Sequence, residues 1–281
     1  MIPNNPPKLP DYLEKIKSYP GLSLDDLGRD NLQFFQVDDS FKFGNEQVLL
    51  AHFASNLVKV STKKRLESSL EEFRIIDPGA GSGILTVLSS ALIPNSCGLA
   101  LELMERPFEL LQANLQLNNL LGRFTPVQVD IREVLRSGYP ESWEMGRFSL
   151  AICNPPYFEL GSGPLRPSNT LGEREIAVAR EEIQLNLNEY IKFTSDALKY
   201  GGIMAIINRP ERLLDTIKFA EAHNLHPYIL RQVKSSVLAK PKVFLMACSK
   251  AKARKFSWQE DLIIYQENGE YTTEVENYYN S

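Results

Sequence analysis

The residues Asn154-Pro155-Pro156-Tyr157 follow a buried apolar run and have the types and order that could hold a planar amino group. Two prolines stiffen the loop and remove two backbone donors, so that carbonyl oxygens are left to face a ligand. The side-chain oxygen of Asn154 and the carbonyl of Pro155 can accept the two hydrogens of an amino group whose delocalised lone pair makes it a poor nucleophile. Tyr157, with Phe158 behind it, offers an aromatic face on which a base can stack. The alternative is a structural Pro-Pro turn with a tyrosine in the core.

A glycine-rich turn lies upstream of this loop, where the short apolar run of residues 73–76 ends in Asp77. Gly79, Gly81 and Gly83 follow and precede a second apolar segment. These glycines permit a tight turn and a close approach of a ligand to the backbone. By itself, such a turn also fits a dinucleotide-binding enzyme or a purely structural turn.

Two acids end the next two predicted strands. Glu102 lies 19 residues after Gly83, where an acid can accept hydrogen bonds from both hydroxyls of a ribose. Asp130 ends the third strand, where a carboxylate can accept a hydrogen bond from an adenine amino group. A G-x-G-x-G turn preceded by an acid, with acids closing the next two strands, resembles the class I S-adenosylmethionine methyltransferases rather than the G-x-G-x-x-G dehydrogenases.

The elements that must position these residues alternate between strands and helices. Apolar spacing predicts helices over residues 46–59, 85–92, 106–120, 187–200 and 211–223, and strands over residues 73–76, 97–101, 124–129, 148–153, 203–207, 227–233 and 243–248. The pair Gly201-Gly202 predicts the C-terminal end of the fourth helix. Strands separated by helices require right-handed crossovers, so the sequence predicts a doubly wound, mostly parallel, seven-stranded Rossmann-like α/β sheet. Ligands bind such sheets at the carboxyl ends of the strands.

The length and composition fit one large domain, because the chain has 281 residues of which 43% are hydrophobic and 23% charged. The first ten residues contain four prolines and no apolar segment of the signal-peptide type. We therefore expect a proline-rich extension over residues 1–24 and one domain over residues 25–281. The longest nearly apolar run has ten residues, about half of what a spanning helix needs. We expect no membrane segment and a cytoplasmic protein.

Cysteines and histidines are few and scattered. The three cysteines lie far apart inside apolar runs, which predicts buried thiols rather than a disulfide framework or a zinc cluster. The three histidines do not have the spacing of a ligand set. The sequence therefore predicts no metal site, and it makes no prediction about the oligomeric state.

Positive charge is concentrated in one stretch of the chain. Residues 231–255 hold eight Lys or Arg and no acid, although the chain as a whole has a net charge of −4. This pattern is typical of a local polyanion-binding face, and it fits a solvated pair of basic strands equally well. The candidate contacts with a polyanion are Lys250, Lys252, Arg254 and Lys255.

Two arginines, Arg209 and Arg212, flank Pro210 after a predicted strand. Guanidinium groups at that place could bind phosphates or the loop that carries the acceptor. Pro210 and Glu211 fit the first turn of a helix equally well, so the two interpretations stay open.

Nearly the whole chain, from about residue 25 to residue 276, resembles the bacterial tRNA1(Val) adenine-37 N6-methyltransferases. The motifs that carry the resemblance are DDLGRDNLQFFQVDDSFKFGNEQVLLAHFA, NPPYF, AREEI, NRPERLL and YQENGEYTTEV. The chain departs from the family pattern at Glu46, at Glu181-Glu182 and at residues 240–243. The resemblance implies that S-adenosylmethionine is held by Asp77, Gly79, Gly81, Gly83, Glu102, Asp130 and Asn154, and that the target amino group is held by Asn154, Pro155, Pro156 and Tyr157.

The resemblance implies a methyltransferase that acts on the N6 amino group of the adenine beside the tRNA anticodon. The Asn-Pro-Pro-Tyr loop alone does not choose among adenine-N6, guanine-N2 and protein-glutamine methyltransferases. One alternative is therefore a glutamine methyltransferase of release factors, which would not need a basic stretch. The other is a non-catalytic RNA-binding module that binds the cofactor, which the complete acceptor motif disfavours.

Overall fold

The computed structural model describes residues 12–37, 44–62, 72–155, 185–251 and 254–280. The helices are α1 (Tyr12–Ile16), α2 (Asn45–Thr62), α3 (Ile84–Leu92), α4 (Glu105–Leu117), α5 (Ile131–Ser137), α6 (Leu187–Ala197), α7 (Leu213–Ala222) and α8 (Thr273–Asn280). The strands are β1 (Leu22–Asp26), β2 (Gln33–Val37), β3 (Phe73–Pro78), β4 (Ser96–Glu102), β5 (Phe124–Gln128), β6 (Phe148–Cys153), β7 (Leu198–Asn208), β8 (His226–Lys234), β9 (Pro241–Ser249), β10 (Ser257–Trp258) and β11 (Leu262–Ile263).

The central sheet has the strand order β10-β8-β9-β7-β6-β3-β4-β5, with β11 also paired to β8. Strands β3 to β7 pair in parallel, whereas β9 runs antiparallel to both of its neighbours, β7 and β8. Seven long strands therefore form the sheet, and the two-residue strands β10 and β11 extend its edge. The predicted fold class, a doubly wound and mostly parallel α/β sheet, is confirmed.

Apolar side chains on both faces of the sheet make the core. In β6 every residue is buried, and successive residues contact opposite layers because side chains alternate along a strand. Leu150 and Ile152 belong to the core layer that also contains residues of α2, α3 and α8, whereas Ala151 and Cys153 belong to the layer with residues of α5, α6 and α7. Cys153 and Cys248 are buried as predicted, but Cys97 is only partly buried.

The fourth predicted helix is shorter than the sequence indicated. We predicted that it ends at Gly201-Gly202, but α6 ends at Ala197 and β7 begins at the next residue. The glycines serve a β-bulge between β6 and β7 instead. A Cβ atom on Gly202 would lie 2.8 Å from the Lys199 carbonyl oxygen and 3.0 Å from that of Phe148, so the close backbone approach requires glycine there.

An N-terminal helix and hairpin pack on α4. Ile16 and Val37 form a small cluster with Leu110 of α4. The buried side chain of Asn114 accepts a hydrogen bond from the Phe35 amide at 2.7 Å and donates one to the Phe35 carbonyl at 3.1 Å. The predicted domain boundary between residues 24 and 25 falls inside β1, so residues 12–24 are part of the packed structure. The division into an extension and a domain otherwise stays a prediction.

A membrane-spanning helix and a metal cluster are two features that the sequence does not predict. Among the described residues, no helix combines the length and the apolar character needed to cross a membrane. The same residues contain no cluster of three or more His, Cys, Asp or Glu side chains that could hold a metal ion.

Candidate functional site

The predicted cofactor turn and the acceptor loop begin at neighbouring strand ends. In the parallel register Ile76 of β3 pairs with Ala151 of β6. Gly79 lies three residues after Ile76, and Asn154 lies three residues after Ala151, so both follow this pair by the same number of residues. Pro78 pairs with Leu101 of β4, which precedes Glu102. The strand order reverses at β3, and this switch point is where α/β sheets bind ligands.

The glycine turn has a backbone that only glycine adopts without strain. Gly79, Gly81 and Gly83 have φ values of 77°, 57° and 93°, in the left-handed region. The amides of Gly79 and Ala80 donate to the Leu101 carbonyl at 2.9 and 2.7 Å. A Cβ on Gly83 would lie 2.6 Å from Leu111 Cδ1, whereas one on Gly81 would have no described atom within 4 Å. The turn is therefore tied to β4 on one side and open on the other.

Glu102 links this turn to β4. Its Oε1 accepts hydrogen bonds from the amides of Leu103 at 2.9 Å and Met104 at 2.8 Å, and its Oε2 accepts one from the Gly81 amide at 2.8 Å. Burial raises the pKa of the carboxyl, and these three donors oppose that rise. A carboxylate has about four acceptor sites, so one site remains on Oε2. Accepting both ribose hydroxyls would require one backbone donor to give way.

Asp130 is the N-terminal cap of α5. Its Oδ1 accepts a hydrogen bond from the Arg132 amide at 2.9 Å, and its Oδ2 accepts one from the Arg132 guanidinium at 2.6 Å. Hydrogen bonding to that guanidinium holds the pKa of Asp130 below its usual value. Most of its acceptor capacity is used within the protein, so its binding of an adenine amino group stays a prediction.

Asp77 lies behind the turn and is only 2% exposed. Its Oδ2 accepts a hydrogen bond from Thr86 Oγ1 at 2.7 Å, which joins β3 to α3. Burial is the main cause that raises its pKa to about 7, and the charge of Glu102 adds to the rise. Because the side chain is enclosed, any support that it gives to a ligand acts through the shape of the turn.

Replacing Asp77 with Asn should remove part of the pH dependence of stability. An unfolded aspartate ionises near pH 3.9, whereas the folded one keeps its proton up to about pH 7. The free energy of unfolding therefore falls as pH rises between these values, by at most about 1.4 kcal/mol per pH unit. Urea denaturation from pH 5 to pH 8 should show this fall in the wild type and a smaller one in Asp77→Asn. If the free energy of unfolding changed with pH equally in the two proteins, Asp77 would not be the source of this pH dependence.

Tyr190 connects the glycine turn with the acceptor loop, a role that the sequence did not indicate. Its buried hydroxyl donates to the Pro78 carbonyl at 2.5 Å and also interacts with the backbone of Asn154. A capping box, in which the Glu189 amide donates to Asn186 Oδ1 at 3.0 Å, fixes the start of α6 and hence the position of Tyr190. The two loops are thus held by one side chain.

Removing the Tyr190 hydroxyl should destabilise the protein measurably. In Tyr190→Phe the buried Pro78 carbonyl loses its donor, which should lower the free energy of unfolding by about 1 to 2 kcal/mol. The exposed ring of Tyr200, which is 84% exposed, gives a matched control, because Tyr200→Phe should change it by less than about 0.5 kcal/mol. Equal stability of the two variants in denaturant titrations would contradict the assigned contact.

Asn154 is partly exposed and Pro155 is buried at the end of β6. Pro156, Tyr157 and Phe158 lie outside the described residues, so their predicted roles stay predictions. Lys252 also lies outside them.

The two candidate arginines follow the carboxyl end of β7, at the same sheet edge as Asn154. The short 3-10 turn Pro210–Arg212 confirms the helix-start interpretation of Pro210, since α7 begins directly after it. Arg212 is buried, and its Nε lies 3.6 Å from Asp215 Oδ2. Arg209 is partly exposed and is the better placed of the two for a ligand.

The basic stretch is divided between opposite edges of the sheet. Because β9 runs antiparallel to β7, its end at Ser249 lies at the amino edge, and Lys250 donates to the Ser195 and Leu198 carbonyls at 2.5 and 2.8 Å. This ammonium caps the end of α6, so most of its donors are used within the protein, and its role as a substrate contact stays a prediction. Arg254 stacks over the Tyr228 ring at 4.5 Å, and Lys255 follows it near the same edge, away from Asn154.

Acids from the C-terminal segment neutralise further basic residues of the stretch. Arg231 forms a two-pronged ion pair with Glu274, with both N–O distances at 2.7 Å. Lys234 Nζ lies 2.5 Å from Asp261 Oδ2. The absence of acids within residues 231–255 therefore overstates the positive charge of the folded surface.

Asn114 is a second residue that the sequence analysis missed. Besides holding Phe35, its amide donates to the Ser82 carbonyl of the glycine turn at 3.0 Å. It is fully buried, as are Leu111 and Leu115 of the same helix. A polar residue on an apolar helix face was the available signal, since buried polar groups need partners.

Several curated proteins are similar to the chain. A Shewanella sp. (strain MR-4) protein named tRNA1(Val) (adenine(37)-N6)-methyltransferase is 28% identical, over 73% of this chain and 81% of that protein. A Porphyromonas gingivalis protein of the same name is 25% identical, over 71% of this chain and 75% of that protein. A Shewanella sp. (strain W3-18-1) protein of that name is 31% identical, over 48% of this chain and 51% of that protein. No protein-family model matches.

Solved structures share the fold at low sequence identity. A predicted O-methyltransferase from Agrobacterium tumefaciens superposes with a TM-score of 0.59 at 18% identity, covering 83% of this chain and 95% of that one. TYW2 from P. horikoshii, solved in complex with MeSAdo, superposes with a TM-score of 0.51 at 14% identity, covering 82% and 71%. The chain thus has the class I methyltransferase fold, and the resemblance of its sequence to the bacterial tRNA1(Val) (adenine(37)-N6)-methyltransferases is confirmed.

Proposed function

We propose that the chain is an S-adenosylmethionine-dependent methyltransferase that modifies the N6 amino group of adenine in tRNA, at the adenine beside the anticodon. The observation that carries the proposal is the parallel register in which the glycine turn, Glu102 and Asn154 leave adjacent strands at one edge. The names of the curated relatives and the ligand of the TYW2 structure support the same reaction and cofactor.

The residues around the turn fit the proposed cofactor. The open side at Gly81 leaves room for a ligand to approach the backbone, and the remaining acceptor site of Glu102 suits a ribose hydroxyl. When bound, S-adenosylmethionine supplies a methyl group already activated by its sulfonium. The protein therefore needs neither a metal nor a covalent intermediate for this transfer, and its residues act by alignment and electrostatics.

The acceptor loop would hold the adenine amino group. The Asn154 side-chain oxygen and the Pro155 carbonyl accept its two hydrogens, which directs the nitrogen lone pair toward the methyl group. Tyr190 positions the loop for this step without contacting the substrate. Its hydroxyl donates to the Pro78 carbonyl and interacts with the backbone of Asn154, so it keeps the turn and the start of the loop at a fixed separation. The proposed stacking of the base on Tyr157 completes the pocket.

Labelled methyl transfer tests the proposal directly. The full chain is incubated with methyl-labelled S-adenosylmethionine and an unmodified valine tRNA transcript, and the nucleosides are analysed after digestion. We expect N6-methyladenosine, and we expect none from a transcript in which the adenine beside the anticodon is replaced by guanosine. Label in a different nucleoside would overturn the proposal. An unlabelled transcript, together with a labelled glutamine in a release factor supplied in a parallel incubation, would also overturn it and favour a protein acceptor.

A further inference from the structure

The β8–β9 hairpin reaches beyond the sheet at the edge where the candidate site lies. β8 ends at Lys234 and β9 begins at Pro241, which pair with each other. Residues 235–240 form the turn between them, closed by a hydrogen bond from the Ala239 amide to the Ser236 carbonyl at 3.1 Å. We refer to residues 235–242 as the hairpin tip.

The pairing register gives the height of this tip relative to the acceptor loop. Cys153, Ile206, Met246 and Leu230 form one row across four neighbouring strands. Asn154 is one residue beyond that row, whereas Lys234 is four residues beyond it, or about 13 Å at strand spacing. β9 is two strand spacings from β6, about 10 Å. The tip therefore stands beside Asn154, at the start of the acceptor loop, and rises above this residue.

The base of the hairpin is anchored to the C-terminal segment. The amides of Ile264 and Tyr265 donate to the carbonyls of Lys234 and Ser235, both at 2.9 Å, and Lys234 is paired with Asp261. The tip is thus presented on a fixed support, which lowers the cost of ordering it against a ligand.

The surface of the tip combines exposed charge with exposed apolar groups. Lys240 and Lys242 are exposed, and neither forms an ion pair with any residue that the structure describes. Val237 is 70% exposed and Leu238 97% exposed at the turn. Ammonium groups bind phosphates, and aliphatic side chains pack on unstacked nucleotides. This pairing of groups suits a single-stranded RNA loop.

We propose that the hairpin tip is a tRNA-binding element that contacts the anticodon loop beside the target adenine. Lys240 and Lys242 neutralise backbone phosphates, while Val237 and Leu238 pack on a nucleotide next to the one being methylated. This inference rests on the proposed tRNA methylation. It moves the RNA-contacting part of the basic stretch from Lys250–Lys255 to the other end of β9.

Paired double variants test the location of the contact. In Lys240→Gln/Lys242→Gln the dependence of tRNA affinity on salt should become shallower by about 1.4 on a log–log scale, taking about 0.7 per single-strand phosphate contact. Arg254→Gln/Lys255→Gln removes the same charge at the opposite edge and should keep the wild-type slope. Leu238→Ser should weaken tRNA binding without changing the slope. Cofactor affinity, measured by calorimetry, should be equal in all of these proteins.

The outcomes separate this inference from the proposed function. A wild-type slope in Lys240→Gln/Lys242→Gln, or an equal change in both double variants, would overturn the hairpin contact while tRNA methylation by the wild type still stood. A wild-type protein that neither binds nor methylates tRNA would overturn the proposed function as well. A slope change confined to Lys240→Gln/Lys242→Gln, together with methylation of tRNA, would support both.

Discussion

Replacing Asn154 with alanine should lower the rate of methyl transfer at saturating tRNA by about 100-fold or more, because one oriented polar contact to a reacting group typically contributes that much. Cofactor affinity should fall far less than the rate, since the amide oxygen acts mainly on the incoming amino group and is only one of the predicted cofactor contacts. Single-turnover kinetics and calorimetry measure the two quantities separately. A rate within about twofold of the wild type would remove Asn154 from the transition state.

The variant Asn154→Asp is the matched control for that loss. A carboxylate oxygen can still accept a hydrogen from the amino group. We therefore expect Asn154→Asp to keep much more activity than Asn154→Ala. Equal rates in the two variants would indicate that the side chain only shapes the loop. Thermal unfolding of both proteins checks that each variant remains folded with the stability of the wild type.

Replacing Glu102 with glutamine should weaken S-adenosylmethionine binding by roughly 10-fold or more. A hydrogen bond to a charged group contributes about 1.5 to 3 kcal/mol, and 1.4 kcal/mol corresponds to a factor of ten in affinity. Glutamine also presents an NH2 group where the carboxylate now accepts amide hydrogens from Gly81, Leu103 and Met104. The loss should therefore appear in cofactor affinity and in stability together.

Glu105 provides the control for charge alone. It is exposed and begins α4, three residues after Glu102. Glu105→Gln removes the same charge close by without touching the turn, so its cofactor affinity should remain within about twofold of the wild type. Calorimetry on both variants distinguishes a direct contact from a change in local potential. A folded Glu102→Gln protein with unchanged affinity would take Glu102 out of the site.

Strand-like apolar runs alternate along the chain with segments whose apolar residues recur at helical spacing, and this alternation was enough to predict the fold class. Each strand from β3 to β9 carries its own apolar run, and the glycines between β3 and α3 are required by local backbone geometry. Local signals of this kind are contained in a few consecutive residues. These signals predicted a doubly wound sheet, because connected strands and helices allow few topologies, but the strand order with its switch point at β3 came from the tertiary structure.

Partners that lie far apart in the chain could not be predicted in this way. Tyr190 bonds to Pro78, 112 residues away, and Asn114 joins α4 to the glycine turn. Nothing in the local sequence of α6 distinguishes Tyr190 from an ordinary core residue. The helix end expected at Gly201-Gly202 was wrong for a related reason. Glycine is required there by the close approach of the neighbouring strand β6, and not by the end of the preceding helix.

The basic stretch of residues 231–255 shows most clearly what the sequence determines and what the tertiary structure determines. The sequence determined that residues 231–255 carry eight positive charges and no acid. Only the tertiary structure decided where those charges act, because the antiparallel strand β9 carries one end of the stretch to the site edge and the other to the opposite edge. Glu274 and Asp261 then neutralise two of the charges from outside the stretch. Charge is a property of composition, whereas the field that a ligand meets depends on distances, and strand direction and pairing set those distances.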